Sequence, residues 1–334
     1  MSYLTQPIQI GSLTLKNRLV MPPMATSSAE SDGTLTQAIL DYYNEKSVGG
    51  YISLIIIEHS YIAPEGKASE NQLSVAEDRM VERLTELAEV IHQNGSKAVM
   101  QINHAGSSTS SQIIGITPVA PSSVPNLRKT DSTVKPQELT TQEIKGIVTA
   151  FQNAAFRVKK AGFDGVEIHS AHGYLLNQFF SPLTNKRTDQ YGGDVFGRIR
   201  IHLEVIRSVR EAVGPDFPIF LRLGASDFRE GGTVIEDSQV AAQEFEKAGI
   251  NALDISGGFS GYNVPGLTGQ GFFAPLTEEI KKVVSIPVIL TGGVTQANAA
   301  EQLLAQGKAD LIGVGRAILK DSSWAKKAIE SMNL

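Results

Sequence analysis

The sequence predicts an α/β fold, a single (β/α)8 TIM barrel with long loops at the carboxyl-terminal face of its strands. Eight short runs rich in β-branched residues alternate with amphipathic helical segments along the whole chain. This alternation is typical of a parallel sheet, whose strands are apolar because helices cover them. Eight units favour a closed barrel over an open doubly wound sheet, and no G-x-G-x-x-G follows the first strand.

The eight predicted strands are short and mostly apolar. They are Arg18–Met24, Ser53–Ser60, Lys97–Asn103, Gly165–His169, Pro218–Ser226, Ala252–Gly258, Pro287–Gly293 and Leu311–Ala317. A predicted helix follows each strand, at residues 36–48, 78–94, 140–161, 196–212, 236–248, 276–284, 295–306 and 321–331. Glycines in KAGFDG and KAGIN indicate the ends of the third and fifth helices. Thr140, three residues before Glu143, indicates a capped start of the third.

The composition excludes several classes of protein. The 334 residues are 41% hydrophobic, carry a formal net charge of −5 and include no cysteine, which excludes disulfides, cysteine-ligated metal clusters and thiol nucleophiles. The mildly acidic balance, without a basic run, argues against a nucleic-acid partner. The most apolar stretch, Leu54–Ile57, is too short to span a membrane, and the N-terminus has no signal-peptide pattern. We therefore expect a cytoplasmic protein whose residues 1–334 form one domain.

Three long segments follow predicted strands. Ala105–Gln137 follows the third strand, Ser181–Phe196 the fourth and Phe259–Ala274 the sixth. In barrel enzymes the loops on this face carry the active site. We expect these segments to form a lid over a site, the alternative being surface decoration.

A group of histidines lies where the second, third and fourth predicted strands end, namely His59, His104, His169 and His172. The densest stretch reads HSAHGY, from His169 to Tyr174, and a helical turn after His169 would bring His172 beside it. Two interpretations stay open. The imidazoles bind a metal, with Glu167 or His104 as third ligand, or they stabilise negative charge on a substrate oxygen. In the second interpretation Tyr174 supplies a proton.

Two polar residues lie within otherwise apolar strands. Gln101 is in the third strand, and Arg222 is in the fifth. A buried charge is costly unless it is compensated. Arg222 therefore either pairs with Glu167 or Asp254, or it faces an anionic ligand or developing negative charge in the barrel mouth.

Two glycine turns end the last two strands. They read TGGV at Thr291–Val294 and GVGRA at Gly313–Ala317. Glycine lets backbone amides approach an anion, and these two loops are a frequent phosphate site in barrels. Arg316 could add a bidentate contact. The alternative is a pair of ordinary tight turns.

These residues, in this order, resemble the old yellow enzyme family of FMN-dependent oxidoreductases. The resemblance runs from Leu13–Met24 to the final helix and is most specific over GVEIHSAHGYLLNQFFSPLTNKRTDQYGG, at Gly165–Gly193. It continues in LRLGASD, TGGV and GVGRA, and it is closer to the shorter bacterial members than to the yeast type.

The resemblance implies which residues contact FMN. Its phosphate would bind the glycine turns, at Gly292, Gly293, Gly315 and Arg316. Its ring system would lie against Pro23, Met24, Ala25, His59, Gln101, Arg222 and Ser256. Arg222 would face the N1/O2 edge and stabilise the anionic reduced flavin, and Gln101 would hydrogen-bond the pyrimidine edge.

The resemblance also implies an ene-reductase that works by a ping-pong mechanism. NADH or NADPH reduces FMN and leaves, and an α,β-unsaturated carbonyl compound then accepts hydride. His169 and His172 would hold the substrate carbonyl, and Tyr174 would protonate the α-carbon. Ser27 stands at a substrate-contacting position. The partners would thus be small molecules, and no resident metal is expected.

Three other functions are compatible with parts of the sequence. Within the same fold, a flavin or quinone reductase would use NAD(P)H with a non-enone acceptor. A flavin-free lyase or isomerase would use the glycine turns for a phosphorylated substrate. A binding protein would have kept the barrel and lost catalysis.

The sequence departs from the family pattern at several positions. Ala25 stands where many relatives have Cys or Thr, Ser27 where close bacterial relatives have Tyr, and His59 where a small residue is usual. The absence of cysteine argues against the longer relatives that carry a cysteine-bound iron–sulfur cluster. The chain ends at Asn333–Leu334 without the tail by which some relatives reach a neighbouring subunit, so we expect a monomer or a homodimer of another kind.

Overall fold

Eight parallel strands close into a barrel, which confirms the predicted fold class. The computed structural model describes residues 2–128 and 134–332. Its strands are β1 (Ile8–Ile10), β2 (Leu13–Leu15), β3 (Leu19–Met21), β4 (Leu54–Tyr61), β5 (Lys97–Asn103), β6 (Val119–Ala120), β7 (Gln137–Glu138), β8 (Gly165–Ser170), β9 (Ile219–Gly224), β10 (Ala252–Ser256), β11 (Val288–Thr291) and β12 (Leu311–Gly313). The order around the barrel is β10-β11-β12-β3-β4-β5-β8-β9.

Helices surround the barrel and cover its outer face. They are α1 (Gln37–Ser47), α2 (Val81–Gln93), α3 (Ser111–Ile114), α4 (Thr141–Lys160), α5 (Leu175–Phe180), α6 (Val195–Val213), α7 (Ile235–Ala248), α8 (Ala274–Lys281), α9 (Ala297–Ala305), α10 (Arg316–Lys320) and α11 (Trp324–Ser331). Within the described ranges, none of them combines the length and the apolar character needed to cross a membrane.

The predicted helix boundaries have the expected local causes. The Thr140 hydroxyl accepts a hydrogen bond from the Glu143 amide at 3.2 Å, and the Glu143 carboxylate accepts one from the Thr140 amide at 2.7 Å. This reciprocal capping box starts α4 where the sequence predicts. Gly249 ends α7 with a φ of +105°, a conformation that favours glycine.

Several predicted strands are too long at their carboxyl ends. β3 ends at Met21 because Pro22 and Pro23 have no N–H to donate to a strand ladder. β12 ends at Gly313, and Arg316, which the sequence places in the last strand, begins α10 instead. Two predictions fall partly or wholly outside the described residues. Residues 129–133 of the predicted segment Ala105–Gln137 lie outside them, and so does the chain end at Asn333–Leu334.

The inside of the barrel is apolar at its base and polar above. The base contains Val20, Leu54, Ile56, Val99, Phe220, Ala252, Ile289 and Leu311, all fully buried. The β1–β2 hairpin, which the sequence analysis did not predict, closes this end with Ile10, Leu13 and Leu15. Because inward side chains recur every second residue, the layer above contains Gln101, Glu167, Arg222, Asp254 and Thr291. This polar layer lies beneath the carboxyl-terminal mouth.

Candidate active site

The turn after β8 brings two imidazoles and a phenol together. The ring centroids of His169 and His172 are 5.1 Å apart, and those of His169 and Tyr174 are also 5.1 Å apart. The predicted proximity of the two histidines is confirmed, but a helical turn is not its cause. His172 has a φ of +58° and Gly173 one of +72°, and the next helix begins only at Leu175. A left-handed turn therefore folds His172 back toward His169.

His59 joins this group from β4. Its ring centroid is 5.3 Å from that of Tyr174 and 6.4 Å from that of His169. Gln72 fixes it, since the Gln72 amide nitrogen lies 2.6 Å from the His59 Nδ1 and donates to the His59 carbonyl at 2.9 Å. Among the described residues, no group of three or more His, Asp and Glu side chains could hold a metal ion.

The histidines are held in their neutral form. Burial lowers the pKa of His59 to about 4 and those of His169 and His172 well below the ordinary 6.5, and the Arg222 charge acts in the same direction on all three. A neutral imidazole has one N–H to donate and one nitrogen that accepts. A hydrogen bond of 2.8 Å joins the His172 Nε2 to the Ser256 hydroxyl.

The His169 Nδ1, at the mouth of the barrel, is buried and lacks a hydrogen-bond partner among the described residues. The amide atoms of Asn103, which ends β5 and is fully buried, likewise have none there. Buried polar groups are nearly always hydrogen-bonded in native proteins. These two side chains therefore fit a polar ligand in the mouth.

Arg222 forms the ion pair that was one of its two predicted alternatives. Its Nε lies 3.2 Å from the Asp254 carboxylate, and both side chains are buried. A guanidinium has five N–H donors, so this pairing leaves others for a ligand. Asp254 also accepts from the Thr291 hydroxyl at 3.3 Å.

Gln101 contacts Glu167 in the same layer. Its amide nitrogen donates to the Glu167 carboxyl at 2.7 Å. Burial, together with the nearby Asp254 charge, raises the pKa of Glu167 to about 8. Two buried carboxyls thus share one guanidinium, and burial favours the protonated form of Glu167. Hydrogen bonding of Gln101 to a flavin stays a prediction.

The two glycine turns lie together, next to the segment that follows β3. A Cβ on Gly315 would lie 3.2 Å from the Met24 sulfur. Gly293 has a φ of +71°, and a Cβ there would clash with the Gly269 carbonyl oxygen. Glycine at 293 is therefore needed for the packing of the loop after β10. The first amides of α10, at Arg316, lack acceptors within their own helix and can bind an anion.

The segment after β3 is tied to β4 through Glu58. The Thr26 hydroxyl donates to Glu58 at 2.7 Å, and the Thr26 amide donates to it at 2.9 Å. Because the Thr26 hydroxyl proton is donated to Glu58, Thr26 does not take over the hydrogen bond expected of the Cys or Thr that many relatives have at the position of Ala25. Ser27 follows with a φ of +52°.

Two residues beside the histidine turn could not be predicted from the sequence. Arg128, in the loop after β5, donates to the His172 carbonyl at 2.6 Å. Tyr262, in the loop after β10, places its ring centroid 5.7 Å from that of His172. No local pattern marks either residue, because both reach the site through long loops. Two of the three predicted loops thus contact the histidine turn.

The donor set fits FMN. A phosphate fits the paired glycine turns and the first amides of α10, because backbone N–H donors can approach an anion closely there. An isoalloxazine presents carbonyl and ring-nitrogen atoms, which match the remaining Arg222 donors. The unpartnered Asn103 amide and His169 Nδ1 provide further polar contacts in the same mouth.

Comparisons with known proteins agree with this geometry. A model of the NADH:flavin oxidoreductase / NADH oxidase family matches residues 3–334. An NADH oxidase of Thermoanaerobacter brockii is 45% identical over 96% of this chain and 50% of its own length. A metal reductase of Desulforamulus reducens is 41% identical over 98% of this chain and 49% of its own length. The chain thus spans about half the length of these two relatives.

A shorter relative and two solved structures match along most of their length. An NADPH dehydrogenase of Clostridium acetobutylicum is 37% identical over 97% of this chain and 94% of its own length. Morphinone reductase in complex with tetrahydroNAD has a TM-score of 0.84 and 29% identity, covering 98% of this chain and 90% of its own. An old yellow enzyme homologue from Zymomonas mobilis also has a TM-score of 0.84 and 29% identity, covering 98% and 92%.

Proposed function

We propose that this chain, which belongs to the NADH:flavin oxidoreductase / NADH oxidase family, is an FMN-dependent ene-reductase of the old yellow enzyme type. It would use NADH or NADPH to reduce the C=C bond of α,β-unsaturated carbonyl compounds. The observation that carries this proposal is the buried group of His169, His172 and Tyr174 at the barrel mouth.

FMN is held from two sides of the mouth in this proposal. The turns at Gly292–Gly293 and Gly315–Arg316 would bind its phosphate. Arg222 would hold the ring system with the donors that Asp254 leaves free. When bound, FMN supplies the two-electron redox chemistry between NAD(P)H and the acceptor.

The two histidines bind the acceptor's carbonyl oxygen. Both are neutral and almost fully buried, at 2% and 8% exposure, so water competes little for their N–H groups. Two preorganised donors stabilise negative charge as it develops on the oxygen. Ser256 and Arg128 hold His172, one through its ring and the other through its carbonyl.

Tyr174 supplies the proton for the acceptor's α-carbon. Burial raises the pKa of its phenol above the ordinary 10.0, although the Arg128 charge opposes this. The phenol therefore stays protonated at neutral pH and can donate. Its ring lies against both His169 and His59, which fixes its position beside the bound carbonyl.

Stopped-flow absorption tests the proposal in two stages. NADH or NADPH should bleach the FMN absorbance anaerobically, and cyclohexenone should restore it faster than quinones or oxygen do. Tyr174→Phe should slow the restoration by roughly 100-fold or more, the usual contribution of a general acid, and leave the bleaching rate unchanged. Tyr262→Phe is the matched control, because its ring contacts His172 from another loop.

Three results would contradict the proposal. Protein that bleaches but is restored only by quinones or oxygen would instead be the non-enone reductase considered above. Equal restoration rates for wild type and Tyr174→Phe would remove the assigned role of this phenol. Protein that stays colourless after incubation with FMN would refute flavin chemistry altogether.

A further inference from the structure

A cleft of about 690 Å³ lies beside the histidine turn, between the loops that follow β5, β9 and β10. Its walls include Arg128 and Arg229, the rings of Phe228 and Phe259, and the polar side chains Ser260 and Asn263. Apart from Arg128, which holds the His172 carbonyl, these residues have no part in the function proposed above. The cleft volume is within the range of pockets that bind whole drug-sized molecules, and it is far larger than the volume of a small enone.

Both arginines in the cleft are held by carbonyl groups. Arg128 donates to the His172 carbonyl at 2.6 Å, and Arg229 donates to the Leu127 carbonyl at 2.9 Å. Within residues 2–128 and 134–332, neither guanidinium has a carboxylate within 4 Å. A carbonyl orients a guanidinium without neutralising it, and among the described residues four of the five N–H groups of each arginine have no hydrogen-bond partner. The cleft therefore carries two oriented positive charges.

Hydrogen bonds to one buried carboxylate join the cleft walls. The buried Asp227 carboxylate accepts from the Phe259 amide at 2.9 Å, the Thr233 amide at 2.8 Å and the Ser181 hydroxyl at 2.6 Å. These bonds join the loops after β8, β9 and β10. Because the three bonds occupy the Asp227 oxygens, this acid does not compete with a ligand for the arginines.

Backbone strain is found in this wall as well as in the site. Across the described residues, the non-glycine positions with positive φ are Ser27, His172 and Phe228, and Phe228 has a φ of +50°. Such a conformation costs a bulky residue free energy and is typical of functional positions. It leaves the Phe228 ring 37% exposed at the cleft, stacked on Phe273 with centroids 6.0 Å apart.

We propose that this cleft binds an anionic group, a phosphate or a carboxylate, of a molecule whose reacting end lies at His169 and His172. Guanidinium groups bind such anions through paired N–H bonds, and Phe228 and Phe259 offer faces for a flat ring or an apolar linker. The anion belongs either to the pyridine dinucleotide or to a charged tail of the acceptor. This inference rests on the proposed function, because it takes the histidine pair as the reacting end.

Matched charged and neutral partners distinguish the two sources. For the donor, NADPH and NADH are compared with 1-benzyl-1,4-dihydronicotinamide, which has no phosphate, by anaerobic bleaching of FMN. For the acceptor, crotonyl-coenzyme A is compared with the neutral N-acetylcysteamine thioester of crotonate. Acceptor affinity is read from the change in FMN absorbance on binding, so this arm requires no turnover.

The variants remove one cleft charge at a time. Arg229→Gln should lower the charged-to-neutral preference roughly ten-fold for the partner whose anion occupies the cleft, since one charge-assisted contact is lost. Arg229→Lys should restore part of that preference. Arg207→Gln, which removes an exposed arginine from α6 on the outer face, is the control and should change nothing. Arg128→Gln serves if Arg229→Gln loses its FMN or its circular dichroism, and it is read only as the ratio of charged to neutral partner, because the lost bond to the His172 carbonyl affects both partners alike.

The outcomes separate this inference from the proposed function. An unchanged preference for both partners in both folded glutamine variants would overturn the anion subsite. Failure of every enone to restore oxidised FMN would overturn ene-reduction instead. The donor bleaching and the acceptor affinity would still decide the cleft in that case, because neither measurement depends on enone turnover.

Discussion

Glu167→Gln should change the pH dependence of folding stability. Glu167 lies in the polar layer of the barrel, with no exposed surface, and accepts a hydrogen bond from Gln101. Glutamine has the same shape and keeps an oxygen to accept that bond, but it does not titrate. The substitution therefore removes a buried acid while it preserves the packing around it.

The sign follows from proton binding in the two states. Burial raises the pKa of Glu167 from the ordinary 4.5 to about 8, so the folded protein keeps a proton that the unfolded chain loses. The free energy of unfolding therefore falls as pH rises between these values and levels off above the folded pKa. Between about pH 6.5 and pH 8 the slope falls from about 1.4 kcal/mol per pH unit to half that value, because Glu167 is half titrated at its folded pKa, so the total loss is roughly 1.5–2 kcal/mol.

Urea denaturation of FMN-free protein at several pH values measures this effect. The wild type should lose roughly 1.5–2 kcal/mol relative to Glu167→Gln over that pH range. The buried histidines, whose folded pKa values are lowered, are common to both proteins, so their contribution cancels in the difference. Glu82→Gln, on the exposed face of α2, should follow the wild type. Parallel curves for wild type and Glu167→Gln would refute the assignment of a buried proton to this side chain.

Two further predictions concern folding elements. Thr140→Ala removes the hydroxyl of the α4 capping box and should lower the free energy of unfolding by about 1 kcal/mol in urea. Thr149→Ala in the middle of the same helix is its control, and an equal loss there would contradict the capping argument. Phe220→Ala opens a cavity in the fully buried base of the barrel and should cost about 3–5 kcal/mol, seen as a large drop in Tm. A drop of only a few degrees would mean that the β1–β2 hairpin collapses into the space.

The barrel could be predicted from the sequence because its signals are local and repeated. Each βα unit carries its own apolar run, and Thr140 with Glu143 marks a helix start without help from the rest of the fold. The β1–β2 hairpin was missed although Ile8–Ile10 and Leu13–Leu15 alternate correctly. Three-residue strands are shorter than the four to eight residues that make such a pattern diagnostic.

The site was predictable only where its members are close in sequence or end a strand. His169, His172 and Tyr174 lie within six residues, so a single turn had to bring them together. Arg128 and Tyr262 meet His172 from loops far along the chain, and nothing in their neighbours indicates it. The protonation of Glu167 likewise depends on Asp254, which lies 87 positions later in the sequence and reaches the same layer only when the barrel closes.

The closed base of the barrel has a kinetic consequence for the Glu167 proton. The apolar layer around Phe220 and the β1–β2 hairpin separate the polar layer from solvent below. The proton can therefore exchange with solvent only through the mouth, and a ligand bound there would cover that path. The charge of the polar layer would then stay fixed for as long as the ligand remains. After a rapid change of pH in solution, the protonation of Glu167 would adjust only once the ligand dissociates.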